Sequence, residues 1–354
     1  MLNYRNKTVV IISLLFSMFV IFACTAEETS TDSGSGSNTL ATIIDRGELV
    51  CGVNDNLTGF GVVNSAGQFE GFDIDFCKAV AAAILGDAGK VEYVPLTASA
   101  RFEALAANEI DILIRNTTWT ASRDRDLGND FTAPTFYDGQ GMMVKASSGY
   151  DSIESMAGAT VCVLQGTTTE LNLDDRFTGM DYTPLTFETN DPLQAAYEEG
   201  RCDGWTTDKS GLASKRAGFS TPSDHVVLAE TLSKEPLGPL TRDNDSELYD
   251  VVQWVVFGMM QAEESGITSS NVSSMASNPS DPGMARLLGV GFDGGEPSDF
   301  GFGIDVDFMQ NVISQVGNYG EVYERHLVPL GLTREGSLNA QWTEGGLIYA
   351  PPFR

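Results

Sequence analysis

Three short segments carry side chains whose types and spacing could do chemistry. Arg123 stands in Thr120-Ala121-Ser122-Arg123, beside Asp124 and Asp126. Its guanidinium fork suits a carboxylate bidentately, and the same residue could equally be a surface cation among acidic neighbours. Gly166-Thr167-Thr168 follows an apolar run and opens a helical stretch. The unpaired N–H groups and positive end of a helix start would favour an anion there, with glycine allowing close approach; a threonine that only caps its own helix is the competing reading. Asp208 follows the strand expected over 202–206, at its carboxyl end, where open α/β sheets place ligands. It too could be a helix cap. Nucleophilic or acid–base chemistry has less to stand on, because G-x-S-x-G is absent and His225 and His326 lie outside all three segments.

The five cysteines divide into one and four. Cys24 ends an apolar run, and Cys51, Cys77, Cys162 and Cys202 make an even set. Three connectivities are possible for four cysteines; sequence proximity and the block structure below favour Cys51–Cys77 and Cys162–Cys202. No CxxC occurs and the two histidines are remote, so neither a metal nor a cofactor is expected.

The elements that must position these residues begin after an export segment. Residues 1–23 hold Arg5 and Lys7, then an apolar run from Val9 to Ala23 broken only by Ser13 and Ser17, with no acid. That is the pattern of a secretory signal, and a run of about 15 residues is short of the roughly 20 needed to span a bilayer. Ile21-Phe22-Ala23-Cys24 resembles the bacterial lipobox, which implies lipidation of Cys24; Phe22 departs from the usual small residue, so plain cleavage near Ala23 stays open. Residues 24–38 are polar and rich in Gly and Ser, as in a flexible tether.

The chain of 354 residues carries 21 Lys+Arg against 49 Asp+Glu, a net charge of −28. Loss of Arg5 and Lys7 with residues 1–23 would take this to −30. Such a surface repels phosphate backbones and anionic headgroups, so no nucleic-acid partner is expected. With 42% apolar residues there is ample material for a core.

Short apolar runs then alternate with helical patterns. Strands are expected at 48–53, 91–96 and 110–114, with helices from Phe72, capped by Asp73 or Asp75, and over 101–108. A second block repeats the scheme with strands at 160–164, 182–187 and 202–206 and helices from Thr168 and over 191–199. Alternation of this kind implies parallel sheets covered by helices. Two apolar Gly/Pro-bearing passages, 139–145 and 233–241, read as paired hinge crossings. The first lobe is then built from 39–141 and 241–354, and the second from 142–240. A long helix is expected over 247–262 and loop over 265–300.

The series GFDIDFCKAVAAAILGD, EIDILIRNTTWTASRDRD, DFTAPTFYDGQGMMV, LQGTTTELNL, CDGWTTDKSGLAS and VGNYGEVYERHL, with the ending GGLIYAPPFR, resembles the general L-amino-acid-binding proteins of polar amino-acid ABC importers. The likeness covers about residues 39–354. It implies a type II periplasmic-binding-protein fold, two α/β lobes joined by a two-strand hinge with a ligand cleft between them. It also implies an extracytoplasmic monomer, periplasmic or at the cell surface, that captures free L-amino acids and delivers them to a membrane permease without altering them. By the same likeness Arg123 takes the ligand carboxylate, with Thr168 and its preceding Thr167 at the helix start, and Asp208 takes the ammonium. Asn116 and Thr118 supply the opposing edge while Thr117 supports the loop. Asn54, Leu57 and the surroundings of Ala98 set side-chain selectivity, with Trp119 and Trp205 as walls or core. Relatives specific for basic amino acids place an acid and aromatic faces near the first two positions. Neutral Asn54 and aliphatic Leu57 therefore argue for neutral or broad recognition, although Asp55 leaves basic ligands open. Other readings are an amino-acid sensor acting through a partner, and an enzyme like the cyclohexadienyl dehydratases of the same fold.

Overall fold

Leu49–Val53 is a strand of branched and small residues buried along almost its whole length, and it forms the axis of the first of two sheets. The computed structural model describes residues 38–354. The export segment 1–23, Cys24 and the tether up to residue 37 lie outside the described residues; Asn38 caps the first helix, Thr39–Arg46. The strand order of the first sheet is Val91–Pro95, Leu49–Val53, Ile112–Leu113, Leu240–Arg242 and Asn129–Phe131. Its first three strands are parallel and Leu240–Arg242 runs antiparallel to both of its neighbours.

The second sheet repeats this order with Thr183–Phe187, Thr160–Leu164, Gly204–Asp208, Phe136–Lys145 and His225–Val227. Again three strands are parallel and the fourth antiparallel. Side chains alternate across this sheet as the period of two demands. Met142, Val144, Val161 and Val163 pack into one cluster, and Met143, Cys162 and Trp205 into another on the opposite face.

Two antiparallel segments join the sheets. Phe136–Lys145 pairs through residues 136–139 with Lys234–Leu237 and through residues 140–144 with Gly204–Asp208. After Lys234–Leu237 the chain enters the first sheet at Leu240. The C-terminal region ties into the same place: the Asn339 side chain accepts from Tyr137 N (2.7 Å) and donates to Tyr137 O (3.0 Å), while the Tyr319 hydroxyl donates to Thr135 O (2.8 Å).

The helix Phe72–Leu85 is buried at 11 of its 14 positions, between the first sheet and the C-terminal helices Ser246–Glu264, Phe308–Gln315 and Tyr319–His326. Its cap differs from expectation. Gly71 holds the N-cap at φ 139°, where a Cβ would lie 2.2 Å from Phe60 O, and no side chain caps the helix. Asp73 and Asp75 fall inside the first turn and are spent elsewhere: Asp73 accepts from Asn116 N (2.7 Å), and Asp75 is engaged by Lys78, Arg325 and His326. Region 265–300 is also more ordered than its composition suggests, holding the helices Val272–Ser277 and Pro282–Leu287. The second starts where the Asp281 side chain accepts from Gly283 N and Met284 N with proline at the first helical position. Several further elements have no counterpart in the sequence reading, among them the helices Thr39–Arg46, Ala121–Asp126 and Phe308–Gln315 and the three-stranded sheet of Asn56–Leu57, Gly61–Val63 and Phe69–Glu70.

Both expected disulfides are present. Cys51–Cys77 fastens the central strand of the first sheet to its covering helix, and Cys162–Cys202 links two neighbouring strands of the second sheet through the loop before Gly204.

Candidate functional site

The carboxyl ends of the central strands of both sheets converge on a cavity of about 40 Å³. Pockets that hold small ligands are usually at least roughly 300 Å³, so the lobes are drawn together here. Of the eight candidate ligand residues, Asn54, Leu57, Asn116, Thr118, Thr167, Thr168 and Asp208 line this cavity, and so does Ala98. Arg123 does not.

Asp208 ends the strand Gly204–Asp208 and is the N-cap of Lys209–Ala217, yet its side chain makes no capping bond. The helix-cap reading therefore fails. The buried carboxyl side chain lines the cavity instead. Burial first, then the charges of Asp138 and Glu235, push it well above the usual carboxylate range, with Arg101 and Asn116 opposing. Asn116 follows the strand Ile112–Leu113 in a left-handed conformation, φ 32°. Asp73 takes its N–H, and its Oδ1 accepts from Asn54 Nδ2 (3.2 Å). Thr117 is fully buried and donates to Arg115 O (2.9 Å), a loop support.

The threonines face each other across the cleft. Thr118 Oγ1 lies 3.4 Å from Thr168 Oγ1, and Thr168 donates to Glu235 Oε2 at 2.7 Å. Thr167 is the N-cap of Thr168–Arg176, accepting from Glu170 N (3.1 Å). Before it, Gly166 has φ 72° and lies so near Ser99 of the other lobe that a Cβ would come within 3.0 Å of the Ser99 Cα. Only glycine allows both the conformation and the approach.

Arg123 is buried one layer behind. Its Nη1 donates to Thr118 O (3.0 Å) and its Nη2 makes a long contact to Gly166 O (3.5 Å), with the guanidinium 5.2 Å above the Phe102 ring. The surface-cation reading does not hold, since the residue is 7% exposed.

The cations that do line the cavity, Arg101, Arg115 and Lys215, were missed by sequence reasoning. Arg101 is 3% exposed and its Nε is buried without a hydrogen-bond partner. Burial, then the charges of Arg123 and Arg115, pull its guanidinium well below the ordinary arginine range. Arg115 donates through Nε to Leu96 O (2.7 Å). Their only signal was that Arg101 opens a helix and Arg115 directly precedes Asn116. Lys215 donates to Asn56 O and Oδ1 (both 2.8 Å), and Asn56 Nδ2 donates to Asp191 Oδ1 (2.5 Å), so these three bridge the two lobes.

Of the two tryptophans, Trp205 lines the cavity and is fully buried, both wall and core. Trp119 is 39% exposed, stacks on Phe131 and lies outside the cavity. Asp55 faces a neighbouring opening rather than the cavity itself. His225 packs with Tyr197 and Phe219 in the second lobe, and His326 pairs with Asp75, both away from the cavity.

The profile of the bacterial extracellular solute-binding proteins, family 3, matches residues 49–267. The glutamate/glutamine/aspartate/asparagine-binding protein of Rhodobacter capsulatus is 48% identical over 325 residues, 90% of this chain and 94% of that one. The general L-amino acid-binding periplasmic protein of Rhizobium johnstonii is 46% identical over 327 residues, 91% and 94% of the two chains. A solved periplasmic binding protein of an ABC transporter from Brucella ovis, with glutathione bound, superposes with a TM-score of 0.84 at 46% identity, covering 89% of this chain and 99% of that one.

Proposed function

Since the chain belongs to family 3 of the bacterial extracellular solute-binding proteins, we propose that it captures free L-amino acids, acidic ones and their amides foremost, and hands them unaltered to an ABC-transporter permease. One observation carries this reading. Arg101 and Asp208, a base and an acid, are buried in a single cavity, and among the described residues neither has an ion-pair partner. Buried charges left in that state are costly unless a ligand completes them. An α-amino acid offers the missing ammonium and carboxylate on one carbon.

Asp208 and the neighbourhood of Asn116 receive the ammonium. The α-carboxylate lies between Thr118 and the start of Thr168–Arg176, and Arg123 turns its weakly held Nη2 from Gly166 O to the carboxylate. Arg101, flanked by Arg115, then meets a side-chain carboxylate or amide carbonyl, with Leu57 against the methylene chain. This is a narrower selectivity than Asn54 and Leu57 alone suggested, because the lining cations outnumber the lining acid Asp208. The name of the Rhodobacter relative agrees with it, whereas the Rhizobium relative is named for general L-amino acid binding. Glutathione, bound by the Brucella relative, itself presents a glutamyl α-carboxylate and α-ammonium.

Each lobe supplies half of the contacts, so a ligand stabilises the closed state by interactions that exist only there. The permease then reads the closed shape. The protein works as a monomer outside the cytoplasm, held at the membrane by a lipid on Cys24, and turns nothing over. Among the described residues no helix is long and apolar enough to cross a membrane.

Thermal unfolding of ligand-stripped protein against the twenty amino acids tests the reading. A ligand at a hundred times its Kd adds about 2.7 kcal/mol. Glutamate, aspartate, glutamine and asparagine should give the largest shifts, and silence from all twenty overturns the proposal.

A further inference from the structure

The cavity that holds Arg101 and Asp208 does not end at its own walls. Asn54, Arg115, Leu164 and Asn190 line it on one side and also line a second space of about 330 Å³. Thr118, Thr168 and Asp208, which take the α-substituents in the reading above, belong only to the inner cavity. The opening therefore lies on the side of Arg115 and Asn190. A ligand held by its α-substituents and reaching toward Arg115 points its side-chain terminus at the larger space.

We propose that this outer space is a second subsite, which takes the substituent of a γ-linked glutamyl amide whose α-amino acid end occupies the inner cavity. The proposal rests on the amino-acid reading and extends it to longer ligands. Arg115 spends its Nε on Leu96 O and has its terminal nitrogens left to meet the amide carbonyl. Beyond it the walls are polar: Asp55, Thr97, Glu188 and Thr189 offer acceptors for the amide N–H and for polar groups on the substituent. Asn56 and Asp191 close the far side and are hydrogen-bonded to each other across the lobes, so the space persists when the cleft is shut. A free amino acid leaves it to water, and a γ-substituent fills it without disturbing the inner contacts.

Thr189 and Glu188 are exposed, line the outer space and not the inner cavity, and the Thr189 side chain makes no capping bond. A tryptophan at either position would occupy the subsite alone. Calorimetric titration of the ligand-stripped mature protein with L-glutamate, L-glutamine and N5-ethyl-L-glutamine is the test, on wild type, Thr189→Trp and Glu188→Trp. Wild type should bind all three, with N5-ethyl-L-glutamine within about tenfold of L-glutamine. At least one tryptophan variant should weaken N5-ethyl-L-glutamine tenfold or more while changing L-glutamate less than twofold. Wild type that binds glutamine but not its N-ethyl derivative overturns the subsite and leaves the amino-acid reading standing. So does a pair of folded variants that weaken both ligands equally or neither. Wild type that binds no free amino acid overturns both.

Discussion

Asn116 and Asp208 stand at the carboxyl ends of central strands in different lobes and line one cavity, where the Asn116 amide favours the charged form of the Asp208 carboxyl across the cleft. Each lobe thus ends its sheet on one member of a polar pair, and the pair is buried only when the lobes meet. Burial drives the Asp208 carboxyl well above its ordinary range, and the neutral Asn116 amide offsets little of that.

An arriving ammonium changes that balance. It stabilises the carboxylate, so the Asp208 carboxyl titrates lower with ligand than without. Between the two values binding releases a proton, and affinity rises with pH through that window and falls as the medium is acidified. Titration calorimetry in buffers of different ionisation enthalpy should show release of a fraction of a proton per ligand in wild type. In Asp208→Asn the release should vanish and affinity should fall roughly 30- to 1,000-fold, the usual cost of removing one member of a buried charged pair. Unchanged affinity in that variant would remove Asp208 from the site.

The architecture was legible because its signals are local: the short apolar run over 160–164 and the long apolar stretch of Phe72–Leu85 declare strand and helix without tertiary information. The site was legible where a strand end meets a helix start, as at Gly166 and Asp208. Arg101 and Arg115 were not, since an arginine in a short helix or after a strand reads as a surface residue. They line a cavity shared with residues of the other lobe, which no local pattern records. The cap failed for a different reason: Asp73 has the right type but stands at the second helical position, past the Gly71 N-cap, and accepts from Asn116 N instead.

Arg101 should set the preference among ligands. Hydrogen bonds to a charged group contribute about 1.5–3 kcal/mol, so Arg101→Met should weaken glutamate roughly 10- to 100-fold. Small apolar amino acids should lose little or gain. Equal losses for glutamate and alanine would show that the arginine is structural and not a reader of the side chain.

Asp73 gives the empty protein a pH dependence of stability. Burial raises its carboxyl from 3.8 to about 7, against the Asn116 N–H and the Arg115 charge. The folded state therefore keeps this proton over a range where the unfolded chain has lost it. The resulting stabilisation is full below about pH 4 and is lost as pH rises to about 7. Asp138, raised to about 6 mainly by burial, acts in the same direction. Urea unfolding from pH 4.5 to 8 should show this downward contribution, and Asp73→Asn, which keeps an acceptor for Asn116 N, should flatten it. An identical slope in wild type and variant would refute the assignment.

The bridge of Asn56 to Lys215 and Asp191 separates closure from recognition. Asn56 lines the outer space but not the inner cavity, and its side chain accepts from Lys215 and donates to Asp191. Removing it takes away closed-state bonds without touching the ligand's α-groups. A loss of about 1 kcal/mol in a partly exposed polar bridge is a factor of about five in the closed population. Asn56→Ala should therefore weaken every amino acid by a similar few-fold, mostly through faster dissociation. It should also enlarge the radius of gyration of the ligand-free protein in solution scattering. If the variant instead reorders the ligands, Asn56 reads the side chain and the bridge is not a general latch.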